Sequence, residues 1–234
     1  MKVFIVLARL LAAFCVSAGI QSPQFAQAET PILEPGDYGM FDRPQWVPEA
    51  YFMWFVMGEL SSVDDHDAVT FDYNAGELFK AEMYIPAHDE LRLFKPSIVL
   101  VGPGLPQPAE PLPFALPAGM GAIVAHHTRN DTYFDIFTGM TFYPGAKIET
   151  IMPQTARYFV VTYGQPVGIA RYALDIGVME DFRIGTISRY PINWYEVRDF
   201  LRWGHQPMPF IILGLVGSIV FAVRFVLRRR RMVA

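Results

Sequence analysis

Residues 170–177 read Ala-Arg-Tyr-Ala-Leu-Asp-Ile-Gly. Successive side chains of an extended chain point to opposite faces, so Ala170, Tyr172, Leu174 and Ile176 share one side. Arg171, Ala173 and Asp175 take the other. A turn former, Gly177, ends the run. The stretch is therefore a strand with one buried face. Asp67–Tyr73 repeats the pattern, with Val69, Phe71 and Tyr73 set against Thr70 and Asp72. Tyr51–Leu60 (YFMWFVMGEL), Leu78–Ile85, Ser97–Val101, Gly121–Ala125, Lys147–Met152 and Arg157–Tyr163 are further runs rich in branched and aromatic residues. Turn signals about every eight to twelve residues predict a mainly β protein, a jelly-roll-like antiparallel β-sandwich over residues 51–177.

Two stretches beside this core read differently. Gly102–Gly119 contains six prolines, at 103, 106, 108, 111, 113 and 117, and proline cannot donate to a central ladder. An extended loop capping one end of the sandwich is expected there, either as a recognition loop or as a rigid connector. Gly102-Pro103-Gly104 is no phosphate loop, because no Gly-Lys-Ser/Thr follows. After the last strand, Val178–Arg183 is expected to form a short helix. Tyr190–Trp203 then places Trp194, Val197 and Leu201 at helical spacing, an amphipathic helix within the membrane-proximal segment 178–207. Trp194 and Trp203 suit a membrane interface.

The ends of the chain carry targeting signals. Lys2 and Arg9 precede an apolar run, Leu10–Ile20, and Ala26-Gln27-Ala28 offers a small-x-small cleavage pattern. Residues 1–28 thus read as a signal peptide, and 29–50 as an extended segment leading into the sandwich. Cys15, the one cysteine, lies in that leader behind Phe14, so the exported chain would have no disulfide, thiolate metal site or thiol nucleophile. At the other end, Met208–Val223 holds no charge. Extended to Leu227 it spans about 30 Å as a helix, one hydrocarbon thickness. Arg228, Arg229, Arg230 and Arg231 follow and keep residues 228–234 in the cytoplasm. The expectation is one C-terminal transmembrane helix, 208–227, in a bacterial inner membrane, with the body in the periplasm. Gly214 and Ser218 form one small-xxx-small pair within that span.

The chain has 234 residues, 52% of them apolar and 18% charged, which suits one packed domain plus targeting segments. Segment 29–206 keeps 12 of the 19 basic residues and all 23 acidic ones, a net charge of −11. A surface that acidic repels phosphate backbones, so nucleic acid is excluded as a partner.

Gly58-Glu-Leu60, Asp65-His-Asp67, Val69-Thr-Phe71 and Ala75-Gly76 together resemble the opening of bacterial pre-peptidase C-terminal domains. Tyr172-x-Leu174-x-Ile176-Gly177 resembles their last strand. It is also similar to exported proteins that carry such a domain before one C-terminal membrane helix. The resemblance touches about a quarter of the ectodomain. It implies a β-sandwich that accompanies other proteins or binds polymers, and it transfers no catalytic residue. The expected setting departs from the family's usual one, with a membrane anchor after the module instead of a protease domain before it.

Several residues invite chemistry. Asp64, Asp65, Asp67 and Asp72 surround His66 at a strand entrance. Hard oxygen ligands outside the cell suggest calcium at Asp65 and Asp67, although an EF-hand's glycine and terminal glutamate are missing. His126-His127 and the scattered methionines suggest copper, but adjacent strand residues face opposite ways and no Met-x-x-Met array is present. Tyr133, Phe134, Phe137, Phe142 and Tyr143 crowd one region, either as core or as an exposed platform. For binding, Tyr133, Phe134, Phe137 and Tyr143 are the candidates. No Gly-x-Ser-x-Gly or His-Glu-x-x-His motif is present, and Glu180-Asp181 is only a charged pair.

The reading is a membrane-anchored extracytoplasmic interaction module, a non-catalytic accessory to an envelope protein or assembly, needing no cofactor. The alternatives are a ligand sensor for glycan, calcium or copper, and a hydrolase built from dispersed residues.

Overall fold

The structure, a computed structural model, describes residues 30–33, 39–128, 131–135, 138–166, 168–181 and 183–204, with isolated helical positions at 214, 217, 218, 221 and 224. The signal peptide, most of the expected membrane span and the tail Arg228–Arg231 lie outside the described residues. Among the described residues no helix is long and apolar enough to cross a membrane. At the isolated positions, the Ser218 hydroxyl donates to the Gly214 carbonyl at 2.7 Å, the back-bond Ser makes one helical turn on.

Among the described residues, eleven strands form two sheets. They are β1 (Thr30–Ile32), β2 (Gln45–Trp46), β3 (Trp54–Leu60), β4 (His66–Tyr73), β5 (Leu78–Pro86), β6 (Ser97–Gly102), β7 (Gly121–Ala125), β8 (Tyr133–Asp135), β9 (Met140–Ile151), β10 (Ala156–Tyr163) and β11 (Ala170–Ile176). One sheet has the order β1-β3-β11-β5-β9-β8 and the other β2-β4-β10-β6-β7. Without the short strands β1, β2 and β8, the eight that remain run 1-8-3-6 and 2-7-4-5 in chain order. That double Greek key is the strand order of a jelly roll. The N-terminal segment adds β1 and β2 as parallel edges, on β3 and β4.

The alternation in β11 holds. Ala170, Tyr172, Leu174 and Ile176 enter the core between the sheets with Phe71, Phe79, Met83, Leu100 and Val160. Ala173 faces outward into a second apolar cluster, over which lies helix α1 (Ile184–Phe200). Strand β6 shows no alternation: Ile98, Val99, Leu100 and Val101 are all fully buried. Its outward residues Val99 and Val101 join Ala68, Phe159 and Val161 in a third cluster. Each such side chain is worth about 1.5–3 kcal/mol when fully buried, so this outer face must be covered.

That requirement corrects three expectations. The proline-rich segment does not merely cap an end, because Leu112, Phe114 and Leu116 lie across the outer face of the five-stranded sheet. Its course is stitched to the edge strand where the Ala122 N–H donates to the Pro106 carbonyl at 2.7 Å. The amphipathic face of α1 meets the sheet instead of a membrane interface, with Trp194, Val197 and Leu201 at 4%, 5% and 1% exposure. Trp203 stands against His88, ring centres 4.8 Å apart. Finally, Val178–Asp181 and Arg183 are not helical. Met179 instead bridges Phe52, and α1 begins at Ile184 with Pro191 inside it. The result is four layers: helix, sheet, sheet and proline-rich cover.

Candidate functional site

Three of the residues that carry the family resemblance, Gly58, Asp67 and Tyr172, meet at one point between the sheets. Asp67 of β4 is 1% exposed. Its carboxylate accepts the Tyr172 phenol from β11 at 2.6 Å. Gly58 of β3 faces both: a Cβ there would meet the Tyr172 oxygen at 2.5 Å and the Asp67 carboxylate at 3.1 Å. Glycine leaves the room this buried bond requires. The motif therefore closes the core. Asp65 faces elsewhere, accepting the Ser61 N–H and hydroxyl at 2.7 Å each across the β3–β4 turn. Among the described residues no three His, Cys, Asp or Glu side chains are grouped to hold a metal.

The aromatic candidates are spread apart. Tyr133 packs on Tyr84, ring centres 6.0 Å apart, on the outer face beneath α1. Phe134 is exposed and Tyr143 packs against the core between the sheets. Phe137 lies outside the described residues.

A different set of side chains is brought together, and sequence reading missed it. Ser97 opens β6, Tyr163 closes β10 directly across from it, and His126 follows β7. From the proline-rich cover, Glu110 reaches the same place. The Glu110 carboxylate lies 2.7 Å from His126 Nε2, and His126 Nδ1 lies 2.8 Å from Ser97 Oγ. An ionised carboxylate only accepts, so Nε2 carries the ring proton and Nδ1 offers its lone pair to the serine hydroxyl. Tyr163 stands directly across the ladder from Ser97, and burial raises its phenol above the usual range, with Glu110 adding to the rise. Ser97 and Tyr163 line an open groove of about 600 Å³ whose rim carries Val63, Leu93 and Leu112. Leu93 is 82% exposed there. Lys95 and Gln165 complete its polar side. His66 stacks near this wall, its ring 6.4 Å from that of Tyr163.

One signal in the sequence pointed here. If 97–101 and 121–125 pair as antiparallel neighbours, Ser97 falls opposite His126, and Ile98 does pair with Ala125. Nothing in the spacing announced Glu110.

Two other features bear charge. A smaller cleft of about 400 Å³ is lined by Glu49, Asp72, Asn74, Glu77 and Arg157. Its ions are already paired, Arg157 with Asp72 at 3.0 Å and Arg183 with Glu49 at 3.2 Å. On the outer face of the six-stranded sheet, Asp175 is 1% exposed, with neither carboxylate oxygen hydrogen bonded. Burial pushes its carboxyl up to about 7, against the pull of Lys80 and with the help of Glu82. The Lys80 ammonium stands 3.8 Å away.

No family model matches this chain, and no curated protein matches it either. Among solved structures, the chain is similar to the pre-peptidase C-terminal domain of collagenase from Bacillus anthracis. That likeness has 13% identity and a TM-score of 0.32, covering 57% of this chain and 93% of that one. It is also similar to PliG of Aeromonas hydrophila, a periplasmic inhibitor of g-type lysozyme. There the identity is 12% and the TM-score 0.28, over 57% of this chain and 95% of that one. A third likeness is to CorA, a surface-associated copper-binding protein of Methylomicrobium album BG8, at 7% identity and a TM-score of 0.30. It covers 65% of this chain and 100% of that one.

Proposed function

We propose that this chain is an extracytoplasmic binding module of the bacterial envelope, held at the cytoplasmic membrane by residues 208–227, that docks onto another envelope protein. The open groove beside Ser97 and Tyr163 carries the reading: its lining mixes apolar Val63, Leu93 and Leu112 with polar Lys95, Ser97 and Gln165, which suits an extended segment of a partner. The anchor and the arginine tail support it by placing the groove close to other membrane-bound chains.

Site-specific photo-crosslinking in native membranes tests this. A crosslinker at Leu93, on the rim, should trap a discrete partner, while one at exposed Phe134, on the far edge of the other sheet, should not. Trapping at Phe134 with none at Leu93 would move the docking surface away from the groove and overturn this reading.

A further inference from the structure

Ser97 lines the groove, and it is the first of three groups that stand in the order acyl transfer requires, which goes beyond binding. Ser97 Oγ is 2.8 Å from His126 Nδ1, and His126 Nε2 is 2.7 Å from Glu110. A serine hydroxyl becomes a nucleophile when a neighbouring imidazole takes its proton, and the imidazole does so when a carboxylate fixes its tautomer and stabilises the cation that forms. Such sets recur on unrelated folds and are known by geometry, not by position in the chain. The usual ring nitrogens are exchanged here, which leaves the proton path intact. Ser97 is 8% exposed and lines the groove, so a molecule bound there meets its hydroxyl. Tyr163 pairs with Ser97 across the ladder and lines the same groove; its phenol, held protonated by burial, is a donor for a developing oxyanion.

We propose that Ser97, His126 and Glu110 form a hydrolytic site for short-chain acyl esters, whose acyl group rests on the rim of Val63, Leu93 and Leu112. Ser97 Oγ bonds to the ester carbonyl carbon while its proton passes to His126 Nδ1. The carbonyl oxygen becomes an oxyanion facing the Tyr163 hydroxyl. As the tetrahedral adduct collapses, the bond to the alcohol oxygen breaks and His126 returns the proton to that leaving group. Water then attacks the acyl-serine and gives a proton to His126. The carboxylic acid departs, and Ser97 recovers its hydrogen. One ester and one water yield one acid and one alcohol. Ser97 and His126 are catalytic residues, and Glu110 is a positioning residue acting through His126.

The test uses the full chain in detergent with a fluorophosphonate probe and p-nitrophenyl acetate. The expected result is a single covalent adduct, mapped to Ser97 by peptide mass. Ester turnover should be lost in Ser97→Ala and fall at least about a hundredfold in His126→Ala, the scale of general base catalysis. Glu110→Gln should lower kcat with KM unchanged. A purely structural Glu110 would leave kcat unchanged in the folded variant. No adduct on folded wild type, an adduct elsewhere, or turnover that survives Ser97→Ala overturns the assignment. The crosslinking test at Leu93 does not depend on catalysis, so the two readings fail separately.

Discussion

Arg198 places its guanidinium 4.5 Å over the ring of Trp194, one turn earlier in the same helix. It is 1% exposed, and among the described residues no carboxylate is hydrogen bonded to it. Four carbonyls are: those of Thr138 at 2.7 Å, Gly139 at 3.1 Å, Trp203 at 3.0 Å and Gly204 at 2.7 Å. The planar fork thus joins the end of α1 to the turn that opens β9. Burial lowers its affinity for a proton, and a guanidinium stays charged under that penalty where an ammonium would not.

Replacing Arg198 by alanine should therefore release α1 from the sheet. Hydrogen bonds to charged groups contribute about 1.5–3 kcal/mol each, and four carbonyls would lose their donor. A loss of about 3 kcal/mol or more is expected, and Arg198→Lys should recover less than half of it. Hydrogen exchange locates the effect: amides of 190–200 should exchange faster while those of β4 and β10 keep their protection. Uniform loss of protection across both sheets would mean that the helix is not an independent layer.

The bond from Tyr172 to Asp67 gives a second expectation. Tyr172→Phe leaves a buried carboxylate without that donor, which costs about 1–3 kcal/mol. Removing both partners together should cost less than the two single changes added, since each single variant already loses the shared bond. Chemical denaturation of Tyr172→Phe, Asp67→Ala and the double variant measures this. Strict additivity would show that the 2.6 Å contact contributes nothing to folding.

Much of this architecture was legible because polar residues mark the outward positions of the strands, even where, as at Asp175 of β11, that face is buried. Arg171 does so in β11 as well, and Asp72 in β4. Legibility failed where a covered outward face carries apolar residues alone. Ile98–Val101 gives no alternation, so nothing in it reveals that a proline-rich segment lies on its outer side. It failed again ahead of Lys147, where the expected strand begins too late and leaves Pro144-Gly145 outside it. The structure runs β9 through that pair, with a bulge opposite Met83. Strand β8 pairs only with residues 140–142, so Pro144 has a ladder neighbour on one side alone. The start of α1 was hidden by Pro191, which suits a first turn yet stands inside a longer helix. Ser97, Glu110 and His126 come from a strand, a cover segment and a strand end. Only folding makes them neighbours.

Stability should depend on pH through Asp175. The native state keeps its carboxyl protonated up to about pH 7, whereas the unfolded chain releases that proton near the ordinary 3.8. Between those values the native state binds more protons, so stability is greatest at the acidic end of the window and falls as the pH rises through it. The slope for one such group is at most about 1.4 kcal/mol per pH unit. Glu180, raised by burial as well, acts in the same direction. Asp175→Asn removes the buried charge while Lys80 keeps Glu82 at 3.5 Å. The variant should melt higher than wild type at pH 7.5 and show a flatter profile from pH 5 to 7.5. A melting temperature at pH 7.5 equal to or below that of wild type would mean that the Lys80 ion pair outweighs desolvation.

The seam between the proline-rich cover and β7 rests on Gly121. Its backbone is unstrained, so the requirement is space alone: an added Cβ would meet the Leu105 carbonyl oxygen at 2.1 Å and that of Pro106 at 2.4 Å. Neither is the end of a flexible side chain, so Gly121→Ala must push the cover away from the edge strand and strain the bond from Ala122 to Pro106. Overpacking of this kind costs about 1–3 kcal/mol. Because the same segment carries Glu110, its 2.7 Å contact with His126 should loosen in step. Gly76→Ala serves as the comparison, where no atom lies within 4 Å of the added Cβ but φ is +79°, so that variant strains the backbone without touching the cover. Limited proteolysis within 103–119 should quicken in Gly121→Ala and stay at the wild-type rate in Gly76→Ala. Equal rates in both variants would mean that the cover is held by Leu112, Phe114 and Leu116 alone, with the seam at Gly121 playing no part.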